Sequence, residues 1–323
     1  MTVIEEIKLK YSQYPGFIDK KIKEWISIHP DDNLNELRKI FLEPGNTKNF
    51  EIMSCYHCNE KCVHCFNENE TIQMPLLKDL YKLIDTIREE NVVCIIGGEP
   101  TLRDDLPELL QYIKNKQKII NLSTNGLRLS DDVFLNKIIP FIDIISFPIH
   151  SSNFDIFDAI TQVKNSGYKS IEVFKKLISL DELMIITQTV INKLNYRSLL
   201  ETFDMIQNIS NVRMTLTFPH PVGNAHSNNV VPKYSEIKEY ISKVLSKYGH
   251  LINTRDIPRC YLYPYQDIVI NLDNDHCGTV DYTQTRTKVP ECKECVFNNE
   301  CIGISKRYSE LYSNIDLFPI KGL

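Results

Sequence analysis

Cys58, Cys62 and Cys65 form a Cys-x3-Cys-x2-Cys run. Three thiolates on one short loop can hold three irons of a [4Fe–4S] cube and leave the fourth iron open. An open iron serves electron storage poorly and suits the binding of a substrate or cofactor. A second set lies late in the chain, at Cys260, Cys277, Cys292, Cys295 and Cys301. The other two of the ten cysteines read as structural: Cys55 as a small residue ending a strand, Cys94 as a core residue in an apolar run. Zinc is the bland competitor. At the first set, Cys55-x2-Cys58 and Cys62-x2-Cys65 would be two pairs only three residues apart, whereas zinc pairs are usually separated by about a dozen or more. At the second, a structural zinc on four of the five thiols is the alternative.

Cysteines clustered this way imply metal rather than disulfides if the compartment is reducing. Met1-Thr2-Val3-Ile4-Glu5-Glu6 has no basic and apolar leader pattern, so a cytoplasmic location is expected. The most apolar stretch, Ile138 to Phe147, is short and carries Pro140 and Asp143, which argues against a membrane span. With 37 Lys plus Arg against 42 Asp plus Glu, the net charge of −5 gives no electrostatic reason to expect nucleic acid or an anionic membrane as partner. An apolar fraction of 42% and a charged fraction of 24% are those of a globular chain, which excludes disorder and low-complexity filaments.

The elements that must position the thiols follow from hydrophobic periodicity. Residues 1–48 read as a helical extension punctuated by Pro15-Gly16 and Pro30-Asp31-Asp32, with Asp31 or Asp32 as an N-cap, and closed by Pro44-Gly45-Asn46. Phe50 to Met53 is a short strand leading into the cysteine loop. Apolar runs at Val92–Ile96, Ile119–Leu122, Phe141–Phe147, Met184–Val190 and Val212–Phe218 predict five more, separated by amphipathic helices. Strands of this kind alternating with helices imply parallel βα units with right-handed crossovers. The expectation is an α/β fold, a partial (β/α)6 TIM-like barrel over 49–230, with its chemistry at the C-terminal ends of the strands. The alternation is expected to stop after Asn224. Residues 231–323 then form a small metal domain, with a helix near 234–247 and a hairpin strand at Asp267–Asn271 flanked by Cys260 and Cys277.

Gly97-Gly98-Glu99-Pro100 follows the second strand, and two glycines there permit close backbone approach to a ligand. The Cys-x3-Cys-x2-Cys run after strand one and this Gly-Gly-Glu-Pro turn after strand two together resemble the radical S-adenosylmethionine (SAM) enzymes. The resemblance implies a [4Fe–4S] cluster on Cys58, Cys62 and Cys65, with SAM chelated to the open iron. It implies reductive cleavage to methionine and a 5′-deoxyadenosyl radical, hydrogen abstraction from a substrate, and a low-potential donor such as a flavodoxin or ferredoxin. Further SAM contacts are expected from Gly97, Gly98, Glu99 and Pro100; from His64, which stands where an aromatic residue usually precedes the third cysteine; and from Ser123, Asn125, Ser146 and Gln188. Asn192 is a further candidate. Pro221-Val222-Gly223-Asn224-Ala225 is similar to a P-x-G-x-A turn of one subfamily.

The tail is similar to the auxiliary-cluster domain called SPASM, whose full form has seven cysteines and two extra clusters. Here Ser305 replaces an expected cysteine, and five thiols cannot fully ligate two cubes at about four each. One auxiliary [4Fe–4S] cluster, as in the shortened twitch form, is the expectation. Substrate readings are a ribosomally made peptide or natural product, undergoing cross-linking, epimerisation or oxidation, or else a small molecule such as an amino sugar undergoing dehydrogenation. The shortness and helicity of 1–48 weigh against a leader-peptide recognition domain. A molybdenum-cofactor cyclase is disfavoured by the ending Lys321-Gly322-Leu323, which lacks a Gly-Gly tail. A non-enzymatic two-site zinc protein is the rival. His150, His220 and His226 are available as acid or base, with packing roles favoured for each.

Overall fold

In the computed structural model the described residues are 1–28, 34–42, 49–66, 72–88, 92–207, 209, 211–266, 270–271, 285–312 and 315–322. Pro30-Asp31-Asp32, Pro44-Gly45-Asn46, Asp267 to Val269 and Cys277 lie outside them.

Eight strands form one sheet in sequence order, every neighbouring pair parallel: β1 Asn49–Cys55, β2 Val92–Gly97, β3 Ile119–Ser123, β4 Ile144–Pro148, β5 Met184–Val190, β6 Val212–Thr217, β7 Ile252–Arg255 and β8 Ile270–Asn271. β1 and β8 are edges, so this α/β barrel is open. The expected six strands are all present. β4 begins at Ile144 rather than Phe141, because Ile139–Phe141, with Pro140, turns as a 3-10 helix.

The alternation does not stop after Asn224. β7 continues it, and its residues Ile252, Asn253, Thr254 and Arg255 carry too little apolar character to reveal a strand. Nor does the described part of the expected tail hairpin form one: Ile270 and Asn271 pair parallel with Asn253 and Thr254.

Among the described residues the α-helices are α1 Val3–Lys10, α2 Pro15–Ile28, α3 Asn35–Leu42, α4 Leu77–Ile84, α5 Leu106–Asn115, α6 Asp132–Ile138, α7 Phe154–Thr161, α8 Ser166–Ile178, α9 Leu199–Ile206, α10 Gly223–Ser227, α11 Tyr234–Tyr248, α12 Arg259–Leu262 and α13 Lys306–Leu311. Burial alternates along β3 and β5. Ile120, Leu122, Ile145, Phe147 and Ile185 face the helices and join Leu109, Ile113 and Phe174 in one core, which also takes in Tyr261, Leu262, Ile304 and Tyr308 from the tail. The opposite face carries Cys94, Asn121, Ser123, Ser146, Gln188, Arg213, Thr215 and Asn253, which follow one another in register around the barrel interior.

α1–α3 close the other end of the barrel. They bury Ile7, Tyr14, Phe17, Ile18, Ile22, Leu37 and Phe41 in a second cluster, which packs on Ile119, Ile144 and Met184, the first residues of β3, β4 and β5. Beneath the sheet Asp143, wholly buried, pairs with Lys21 and, at 3.0 Å, with Lys114, and it accepts from the Ile120 N–H at 2.8 Å. Burial alone would raise the Asp143 pKa, but the two ammonium groups outweigh it and hold the carboxyl below its usual range.

Candidate functional site

The cysteine loop leaves the C-terminal end of β1 and is tied down from four directions. Beside it, the Gly98 N–H donates to Cys55 O at 2.7 Å and the Glu99 N–H to His57 O at 2.8 Å. The C-terminal turn of α7 receives the Lys61 and Val63 N–H groups on Thr161 O (3.0 Å) and Ile160 O (2.8 Å). After β3, Asn125 Nδ2 donates to Asn59 Oδ1 at 2.6 Å. After β6, Asn224 and Asn228 reach the loop's carbonyls: Asn224 N–H to Cys65 O at 2.9 Å, Asn224 Nδ2 to Cys62 O at 3.2 Å and Asn228 Nδ2 to Val63 O at 3.1 Å.

The two glycines are explained by the loop itself. A Cβ on Gly97 would sit 2.1 Å from Cys55 O, and one on Gly98 would sit 2.3 Å from His57 O. The close approach read from Gly97-Gly98 is therefore to the start of the cysteine loop. Glu99, at the turn, is buried and its carboxylate is engaged within the chain: it accepts from the Thr101 N–H (2.9 Å) and hydroxyl (2.6 Å), the Thr124 hydroxyl (2.7 Å) and the Asn125 N–H (2.6 Å). It thereby locks the end of β2 to the end of β3. Pro100 opens a 3-10 turn, Pro100–Leu102, capped by Glu99.

Asn125 approaches Cys58 Sγ through Nδ2 at 3.9 Å. Ser123 and Ser146 are register partners, and the Ser146 hydroxyl donates to Asn121 Oδ1 at 3.0 Å. Gln188 lies on the same interior face, opposite Pro148 and Thr215. Asn192 is buried in the turn after β5, where its side chain serves Val190 O and the Leu194 N–H. The His64 ring meets His150 edge-on, centroids 4.9 Å apart, and Nδ1 of each is buried without a hydrogen-bond partner. Burial lowers the His64 pKa to about 4 and that of His150 well below its ordinary value, so both rings are neutral near pH 7.

The donor set fits an iron–sulfur cluster. Cys58, Cys62 and Cys65 are in no disulfide and lie close enough that Cys65 raises the pKa of Cys58, and Cys58 and Cys65 both raise that of Cys62. Burial, as the main cause, pushes Cys58 up to about 12 and Cys62 well above the usual thiol value. These groups become thiolates when a metal replaces their protons. Glu60 lies buried among them, accepts from Cys62 Sγ at 3.3 Å and is raised by burial to about 7.

In the tail, Cys260 on α12 and Cys292, Cys295 and Cys301 line one small cavity with Pro258, Phe297 and Leu317. Burial lifts Cys260 to about 12, and the three other thiols add to it. Four thiols from three stretches of chain thus converge; Cys277, the fifth, lies outside the described residues.

Several positions escaped the sequence reading. Arg103, buried, donates through Nη1 to Ser54 O (2.8 Å) and Pro75 O (2.9 Å) and pairs twice with Asp105, fixing the strand that feeds the loop. Asp256, just after β7, has a left-handed backbone (φ 62°) and binds Arg286, and Nε2 of His220 lies 3.2 Å from its carboxylate. His220 in turn packs edge-on to Phe66, the residue after Cys65. Of the three candidate histidines, His220 therefore has a carboxylate partner, which no sequence spacing announces. Asn224 stood inside a noticed motif, but as one of its variable positions.

Residues 52–206 match the Radical SAM superfamily. Among curated proteins, the chain is 29% identical over 201 residues to a "Probable GTP 3',8-cyclase" of Saccharolobus islandicus, covering 59% of this chain and 63% of that one. It is 33% identical over 138 residues to a protein of the same description from Methanococcus maripaludis, covering 39% and 46%. These matches span less than two thirds of those relatives. Among solved structures, Streptococcus suis SuiB bound to precursor peptide SuiA superposes with a TM-score of 0.53 at 13% identity, over 76% of this chain and 65% of that one, which shows a shared fold. Among the described residues, no helix is long and apolar enough to cross a membrane. Residues 52–206 thus form a radical SAM domain, the domain of enzymes that use a [4Fe–4S] cluster and S-adenosylmethionine.

Proposed function

We propose that the chain cleaves SAM reductively at Cys58, Cys62 and Cys65 and uses the radical to abstract hydrogen from a substrate held over the C-terminal ends of the strands. The observation that carries this reading is the loop itself: three thiols fixed from four directions beside an interior face that still offers polar groups. The cluster, when bound, supplies the electron that splits SAM into methionine and the 5′-deoxyadenosyl radical. The chain's own residues orient the ligand. Backbone carbonyls at Gly97 and Gly98 would accept from the SAM ammonium, Ser123, Ser146, Gln188 and Asn125 would meet its ribose and carboxylate, and His64 would border the adenine.

Cys260, Cys292, Cys295 and Cys301 hold one auxiliary [4Fe–4S] cluster in this reading, with Cys277 available as a further ligand. A flavodoxin- or ferredoxin-like donor supplies electrons. The free thiols on both sets suit a reducing compartment, the cytoplasm.

For the substrate, a peptide is supported by the fold shared with SuiB, a protein bound to its precursor peptide. The N-terminal helices are engaged beneath the barrel, so a peptide would have to be recognised elsewhere. A purine nucleotide is favoured instead by the curated relatives' description, which reopens the cyclase reading that the chain's ending had set aside. No observation favours an amino sugar. The test is anaerobic purification followed by SAM and a strong reductant, with GTP or peptide added. A brown protein that forms 5′-deoxyadenosine, lost in Cys62→Ala, supports the reading. A colourless zinc protein that leaves SAM intact overturns it. Consumption of GTP in step with 5′-deoxyadenosine selects the nucleotide.

A further inference from the structure

The turn after β6 reaches across to the cysteine loop, and the reading above counts it only as one of the loop's four anchors. α10 has five residues, yet it and the residue after it provide three donors to three of the loop's carbonyls: Asn224 N–H to Cys65 O, Asn224 Nδ2 to Cys62 O, and Asn228 Nδ2 to Val63 O. These carbonyls span the Cys62–Cys65 half of the run. Within the loop itself that half has one backbone hydrogen bond, Cys65 N–H to Cys62 O at 3.0 Å. Its shape therefore depends on what grips it from outside. α10 is in turn fixed: Ala225 is wholly buried, and its carbonyl accepts from the Val230 N–H at 3.2 Å.

We infer that Asn224 and Asn228 are positioning residues for the first cluster. They hold the carbonyl dipoles of Cys62, Val63 and Cys65 against α10 and so set how firmly the loop retains iron and how the cluster meets SAM. A freed peptide carbonyl presents its negative end to whatever lies near, and an anionic cluster is a poor neighbour for it. Groups in this outer position around metal sites typically change metal affinity or activity by about 10- to 100-fold when removed. The inference rests on the SAM reading above.

The variants are Asn228→Asp, which keeps shape at an exposed position and removes the donor, Asn228→Gln, which restores an amide, and the double variant Asn224→Ala/Asn228→Ala. Iron release to a chelator and the change in the cluster's electron paramagnetic resonance signal on adding SAM are measured in the full chain. The wild-type signal must respond to SAM; if it does not, the SAM reading fails before the clamp is tested. Given that response, the double variant is expected to lose first-cluster iron about tenfold faster or more and to give an altered SAM-bound signal. Asn228→Asp should show a smaller change in the same direction and Asn228→Gln a partial return. Circular dichroism and melting temperature check that Asn228→Asp is folded. Release rates and signals equal to wild type in a folded Asn228→Asp and in the double variant would overturn the inference.

Discussion

The two ends of the barrel are built on opposite principles. At the N-terminal end, α1–α3 bring apolar side chains against the first residues of β3, β4 and β5, and the buried charges there answer one another, Asp143 to Lys21 and Lys114. At the C-terminal end the backbone is held just as firmly, but two buried imidazole nitrogens and a buried threonine hydroxyl have no hydrogen-bond partner among the described residues, and three thiols crowd one loop. In the reading proposed above, ligands complete this second end. Barrel enzymes in general divide stability from chemistry in this way, and here the division can be tested residue by residue.

The largest effect is expected from Cys62→Ala, which should bring 5′-deoxyadenosine formation to background while leaving the melting temperature of the iron-free protein near wild type. A large loss of stability in that protein would break the comparison. Cys260→Ala sharpens it within the same end. If the tail holds its own cluster, iron should fall from about eight to about four per chain while SAM cleavage without substrate persists. Full iron content in that variant would remove the tail cluster.

At the opposite end Asp143→Asn removes the buried anion shared by Lys21 and Lys114 and leaves them only the half-exposed Glu24 as a carboxylate partner. A loss of about 1–3 kcal/mol in unfolding free energy is expected, with SAM cleavage per folded molecule unchanged; denaturant titration and 5′-deoxyadenosine assays measure the two. The same group sets a milder pH dependence. Because the Asp143 pKa is lowered in the folded state, its contribution is complete above the unfolded carboxylate pKa and fades as pH falls through the lower folded value. Acid melts of wild type and Asp143→Asn should converge in that range, and parallel curves down to the lowest pH would contradict the assignment.

What could be read from sequence follows the same divide. The cysteine loop was legible because its three cysteines follow directly on the strand that carries them, and contiguous spacing constrains geometry. Glu99 shows the limit of that: its place in the turn was clear, but its four hydrogen bonds to residues beyond β2 and β3 depend on tertiary packing. β7 was missed because Asn253 satisfies Arg213 Nε at 2.8 Å rather than packing in an oily layer, so the hydrophobic period never registers. Asp256 and His220 meet only because β6 and β7 are neighbours, pinned by the Phe218 N–H on Arg255 O at 3.0 Å.

The polar interior face has a thermodynamic consequence. Barrels of this family of shapes usually fill their centre with Val, Ile and Leu, but Asn121, Ser123, Ser146, Gln188 and Thr215 contribute no such packing here, and the Thr215 hydroxyl is buried without a partner. Polar side chains there forgo part of the burial energy that an apolar centre would give. A ligand held by these polar groups would bind the native state and not the unfolded one, and at about a hundred times its dissociation constant it would add roughly 2.7 kcal/mol to the unfolding free energy. Cofactor supply then acts on the lifetime of the protein as well as on its turnover.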